Sequence, residues 1–173
     1  GHNGINETTT MCLVPNVIRV VDIPIIAAGG IGTGKTMLAA FVLGASGVQI
    51  GSRFAVCNES SAHNKFKKLV YESREGDTQL TLKELVPVRL LKNDFYNKIQ
   101  DAYKHNKNKE ELRLLLGKGR AKKGIFEGNL LDGELEIGQI SSMLNKIESA
   151  ADIINEIVKD FNLENKSISD IEF

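Results

Sequence analysis

The sequence predicts an α/β fold with parallel strands, on three observations. Between Leu13 and Phe54 the apolar pattern switches from helical spacing to short continuous runs and back again. Two such runs occupy strand positions, separated by a stretch with a helix's apolar face. Each run also ends in a glycine-bearing turn.

Taken in order, residues 1–12 read as a polar loop in which Thr8, Thr9 or Thr10 can cap a helix. Val14, Val17, Ile18 and Val21 form an i, i+3, i+4, i+7 stripe, which predicts a helix over 13–21 with Pro15 tolerated only in its first turn. Asp22 ends it. Residues 24–28, PIIAA, suit a strand buried on both faces. A helix over 34–43 follows, with Met37, Leu38, Phe41 and Val42 on one face and Gly44 as its stop. Residues 48–54 read as a second strand ending in another glycine.

After Glu59 the texture becomes charged and amphipathic, predicting helices over 63–74, 80–103 and 110–116. A basic, glycine-rich turn occupies 117–124, a loop 127–139 and a last helix 141–161, with a tail expected to fray.

Composition excludes several classes. The 173 residues are 42% hydrophobic and 25% charged, as in an ordinary soluble globular protein. Lys+Arg 22 balances Asp+Glu 22, so no overall field draws in nucleic acid or an anionic membrane. No apolar run approaches the ~20 residues that span a bilayer. Cys12 and Cys57 have no partners at zinc or disulfide spacing, which favours a reducing cytoplasm, and no metal site is expected. The chain opens on Gly1-His2-Asn3-Gly4 without an initiator Met, and reads as a fragment whose upstream half is absent.

Residues 29–36, GGIGTGKT, satisfy the G-x-x-x-x-G-K-[ST] pattern of a P-loop, after a strand and before a helix. A nucleotide hydrolase also needs an acid at the end of a neighbouring strand to hold Mg²⁺, and more parallel strands. Asp22 lies at the wrong end of its strand, Asp132 sits in a turn-like setting, and the chain beyond Phe54 reads as mostly helical. We therefore take Lys35 and Thr36 as first-turn helix residues facing solvent, and keep P-loop nucleotide binding as the alternative of another class.

Two successive strands ending in glycine turns, Ala27-Ala28-Gly29-Gly30-Ile31 and Ile50-Gly51-Ser52-Arg53, favour a shared phosphate site. Paired turns of this kind, after the last two strands, form the anion site of (β/α)8 barrels. Around them, GHNG, ETTTMCLVPNV, IPIIAAGGI, MLAAFVLGASGVQIGSRFAVCNESSAH, LTLKELVPVRLLKN and EGNLLDGELEIGQISSM resemble the C-terminal half of the nitronate monooxygenases. They are also similar to the related FMN-dependent enoyl-[acyl-carrier-protein] reductases of the second type. The segment GTGKT departs from the family without touching the glycines that matter.

The resemblance implies the C-terminal half of a (β/α)8 TIM barrel with a small helical insertion after the last strand. Residues 1–60 would supply the end of strand six to strand eight of an FMN-binding barrel, 61–138 the insertion, and 139–173 the closing helix and tail. It implies FMN as cofactor, its phosphate held by Ala28, Gly29, Gly30, Ile31, Gly51 and Ser52. His2 would be the catalytic base that removes the proton beside a nitro group, as neutral imidazole can near working pH. His63 and His105, among Lys and Asn, read as solvated. Gln139 lies in a loop that could approach the flavin, and Arg53 reads as an ion-pair partner as readily as a ligand. The implied reaction is FMN-dependent oxidation of an alkyl nitronate by O2 to a carbonyl compound and nitrite. NAD(P)H-dependent enoyl-carrier reduction is the alternative within the family. Expected partners are the small nitronate and O2, with a homodimer admissible and neither nucleic acid nor membrane.

Overall fold

The structure, a computed structural model, describes residues 7–169. Helix α1, Thr10–Ile18, begins earlier than the apolar stripe suggests, because the extended backbone of Thr9 starts it. Pro15 therefore sits sixth in the helix, where it withholds the N–H that the turn before would receive. The helix stops at Ile18, so Val21 falls outside it.

Strand β1, Ile26–Ala28, pairs in parallel with β2, Gly47–Gln49, in the register Ile26 to Gly47, Ala27 to Val48 and Ala28 to Gln49. Both strands are shorter than the expected 24–28 and 48–54. Pro24 has no N–H to give a ladder. Past Gln49 the chain turns at Gly51 into a short helix α3, Ser52–Ala55. The expectation of a strand buried on both faces also needs correction. Ala27 is buried with Val14, Ile31, Ala40 and Ala45, whereas Ile26 and Ala28 are exposed on the opposite face. Two strands carry helices on one side only among the described residues. Among the described residues no further strand joins the pair, and apolar grooves lie beside both strands, one between α1 and β1 lined by Leu13, Val17 and Ile26, the other lined by Val48, Ile50 and Ile154.

Helix α2, Gly34–Val42, ends as its sequence predicts, with Gly44 at φ 97° just beyond the cap. It packs against the last helix, α7, Ala150–Ser169, with Phe41 edge-on to Phe161 at 5.6 Å. The crossing is close: a Cβ at Gly34 would stand 2.2 Å from the Phe161 backbone nitrogen.

The middle of the chain is not wholly helical. Helix α4, Asn64–Tyr71, is followed by an antiparallel hairpin of β3, Thr78–Thr81, and β4, Val88–Leu91. A single helix over 80–103 is thus replaced by strand, turn, strand and helix α5, Asp94–Lys104. Pro87 bars a helix through that stretch. Asn93 starts α5 afresh, its side chain accepting the Tyr96 N–H at 2.9 Å. Helix α6, Lys109–Leu116, closes over the hairpin on Leu82, Leu90, Phe95, Ile99 and Leu112. A neighbouring cluster of Val56, Phe66, Val70, Leu135 and Ile137 joins this region to the turn after α3.

The return runs through a 3-10 turn, Gln139–Met143, and α7 begins only at Ala150. The expected start near Ser141 fails because the capping residue is Ser149, whose hydroxyl accepts the Asp152 N–H at 3.0 Å. The helix also continues to Ser169, so residues 162–169 are helical rather than frayed. No described helix is long and apolar enough to cross a membrane.

Candidate functional site: the two glycine turns

The parallel register sets the two turns level. Ala28 lies opposite Gln49, so Gly30 and Gly51 each follow two residues after paired positions. Gly29 and Gly30 have φ of 107° and 72°, conformations that side chains resist. A Cβ at Gly30 or Gly51 would project into open space, so the glycines leave a cradle there. Ala28 and both glycines of the first turn are exposed, while Ile31 anchors the turn in the core at 4% exposure. The Thr10 hydroxyl donates to the Gly29 carbonyl at 2.9 Å and ties the turn to the start of α1.

Donors decide what such a turn can do. Among the described residues, the amides of Gly30, Ile31, Gly51 and Ser52 donate to no backbone carbonyl. The Ser52 hydroxyl accepts the Gly138 N–H at 3.1 Å, leaving its own proton to give. Four amides and one hydroxyl on two adjacent turns form a donor set suited to an anion.

The residues of the P-loop pattern are differently placed. The Thr36 hydroxyl lies 3.1 Å from the Gly32 nitrogen and 3.0 Å from the Thr33 nitrogen and accepts both N–H groups. The Thr33 hydroxyl accepts the Thr36 N–H, and Asp160 from α7 accepts the Lys35 N–H. Four amides of the pattern's second half, those of Gly32, Thr33, Lys35 and Thr36, are therefore committed within the protein. Lys35 itself points to solvent and pairs with Glu164 at 3.2 Å. Thr36, expected to face solvent, is half-buried in a reciprocal cap instead.

Arg53 is the residue whose importance the sequence conceals. It is 7% exposed and donates to the Gly32 carbonyl at 2.8 Å, with Glu148 and Glu156 each 2.9 Å from the same terminal nitrogen. Burial opposes its charge, yet the hydrogen bonds it donates to the two carboxylates, with their negative charge, outweigh this and raise its pKa. The guanidinium thus clasps the first turn, the second turn and α7 together, and is occupied as an ion-pair partner. Lys67 is likewise buried, its ammonium donating to the carbonyls of Cys57, Asn58 and Ser60 at 2.7, 3.2 and 2.8 Å. No local pattern marks either residue, since their partners converge only in three dimensions.

The remaining candidates fall elsewhere. His2 lies outside the described residues. His63 caps α4 by accepting the Lys65 N–H, and His105 contacts the Asp101 carbonyl at the end of α5. Asp132 meets Lys98 and Lys123 at 2.8 Å and Arg120 at 3.2 Å, which holds its carboxyl well below the usual range. The basic turn is therefore partly neutralised from within, and Arg120 also lies 4.3 Å over the Phe95 ring. Gln139 is exposed just after Gly138. Among the described residues no group of His, Cys, Asp and Glu could hold a metal ion.

Comparison with known proteins gives this arrangement a context. Residues 1–160 match the family described as nitronate monooxygenase. A probable nitronate monooxygenase of Staphylococcus saprophyticus is 33% identical over 154 residues, covering 88% of this chain and 43% of that relative. FabK from Thermotoga maritima superposes with a TM-score of 0.87 at 36% identity, covering 98% of this chain and 53% of its own. A nitroalkane oxidase from Streptomyces ansochromogenes shares the fold, with a TM-score of 0.74 at 24% identity. The chain spans about half the length of the relatives it matches. With its paired glycine turns on adjacent parallel strands, the chain belongs to the nitronate monooxygenase family.

Proposed function

We propose that the two glycine turns hold the phosphate of FMN, in an oxidoreductase that converts alkyl nitronates and O2 to carbonyl compounds and nitrite. The observation that carries this reading is the split between amides: those of Gly30, Ile31, Gly51 and Ser52 are uncommitted, while those of residues 32–36 that form the caps are used. The chemistry fits a phosphate monoester, with N–H and O–H donors and glycines where a Cβ would fill the cradle. Ala28 and Gly29 carry the first turn out of β1 and give it its shape.

When bound, FMN would take electrons from the substrate and pass them to O2. The chain's own residues bind and orient. Amides of the two turns would neutralise the phosphate, and Arg53 would hold the Gly32 carbonyl so that the first turn keeps its shape. For a neutral nitroalkane, His2 would remove the proton on the carbon beside the nitro group. The strand pair would form the seventh and eighth strands of a (β/α)8 barrel, and residues 61–138 its insertion. A strand pair that no further strand joins among the described residues, with apolar grooves beside both strands, supports that reading, as does the greater length of the relatives.

FabK's identity of 36% favours a second reading, the reduction of an enoyl thioester by NAD(P)H. One pair of assays separates them. O2 uptake and nitrite release with an alkyl nitronate, without NAD(P)H consumption on an enoyl thioester, supports the first; the reverse result replaces it with the second. Retention of ATP with Mg²⁺ and refusal of FMN refutes both.

A further inference from the structure

We infer that Gly138 is a positioning residue: its backbone aims the Ser52 hydroxyl at the anion held by the two turns. The inference rests on the phosphate reading above and deepens it, by naming what sets the one side-chain donor. A serine hydroxyl has one proton, two lone pairs and three staggered χ1 wells, so nothing local chooses its direction. Here the Gly138 N–H takes one lone pair at 3.1 Å, from 86 residues further along the chain. Among the described residues the hydroxyl proton has no acceptor, so it remains for a ligand.

Glycine is needed at 138 for the serine rather than for the backbone. Its φ of −80° and ψ of 160° are open to any residue. An added Cβ would stand 2.8 Å from Ser52 Oγ, and its next neighbour, Ile140 Cγ2, is at an ordinary 3.8 Å. Alanine at 138 would therefore press on one atom, the hydroxyl oxygen, and turn it out of its well. The same return segment also seats Ile140 against Gly32, where a Cβ would come within 2.9 Å of Ile140 Cγ1. The strand of chain that comes back from the hairpin region thus touches both turns, and at Ser52 it does so through a donor.

The test is a cycle of Gly138→Ala, Ser52→Ala and the double variant of this chain, titrated with FMN and with riboflavin, which lacks the phosphate. The parent should prefer FMN. Each single variant should lose FMN affinity about tenfold, as for one hydrogen bond to a charged group, with riboflavin unchanged. The double variant should bind FMN no worse than Ser52→Ala, and should regain the thermal midpoint that Gly138→Ala loses, because the pressed oxygen is gone. Additive losses, equal weakening of both flavins by Gly138→Ala, or a double variant that stays destabilised would overturn the positioning role. So would a Gly138→Ala chain that binds FMN like the parent while Ser52→Ala does not. In each of those cases the phosphate reading stands. A Ser52→Ala variant without effect likewise overturns this inference alone, since the four amides remain, whereas a parent with no preference for FMN sinks the phosphate reading and this inference together.

Discussion

Replacing Arg53 by methionine keeps most of the side-chain volume and removes the charge from the centre of the clasp. The loss has two parts. The Gly32 carbonyl loses a charge-assisted hydrogen bond, which costs about 2 kcal/mol. Glu148, whose side chain is 14% exposed, loses its guanidinium, and stranding a buried charge costs about 3–5 kcal/mol. That second figure is an upper bound here, because Lys146 lies 2.7 Å from Glu148 and 2.6 Å from Glu156 and retains both carboxylates. Glu156 is 44% exposed and can rehydrate. We expect a net loss of about 3 kcal/mol, which for a chain of this length lowers the melting midpoint by about 6–12 °C. Urea and thermal denaturation of the Arg53→Met chain measure it. Adding Glu148→Gln should recover about 1 kcal/mol or more, by removing the stranded charge. A single variant that loses under about 1 kcal/mol, or a double variant worse than the single, refutes the account of the clasp.

Three further outcomes are expected. Gly51→Ala places its methyl in open space at a φ of −102°, so its melting curve should match the parent while FMN affinity falls at least about tenfold; unchanged affinity would mean the cradle is unused. Lys35→Ala removes only an exposed pair with Glu164, so stability should stay within about 0.5 kcal/mol and FMN titration should not change. Loss of flavin binding in that variant would restore the lysine to the site. Burial, reinforced by Glu136 and opposed by Arg120, pushes the Glu134 carboxyl up to about 7. A raised carboxyl favours the folded state while protonated, so its contribution is full below about pH 4.5 and lost as pH rises through about 7. Denaturation from pH 5 to 8 should show a fall in stability that Glu134→Gln flattens; parallel curves would exclude the carboxyl as its source.

How far the sequence could be read depended on whether a signal was local. Gly44 stops α2 and the paired glycines end their strands because backbone conformation is written into single residues. Pro87 carried an equally local message, that no helix crosses the stretch 80–103, and the charged periodicity around it masked that message. Ser149 and Asp152 similarly mark the true start of α7 more reliably than the apolar residues before them. Other features had no local signature. The lysine of GTGKT resembles a phosphate ligand until α7 supplies Asp160 and Glu164 to its helix start. Arg53 and Gly138 acquire their roles from partners in distant segments, which spacing within a short window cannot reveal, and Lys67 from backbone carbonyls of the preceding loop, which carry no side-chain signature.

The clasp has a consequence for the order of events during synthesis. Arg53 leaves the ribosome 95 residues ahead of Glu148, and Glu156 follows later still. Until α7 emerges, the guanidinium has no carboxylate from that segment, and the turns it fastens lack their final brace. The earliest translated part of the described chain is therefore among the last to set, a long-range closure of the kind that slows folding. A nascent chain stalled short of Glu148 should present these turns unfastened to chaperones and proteases.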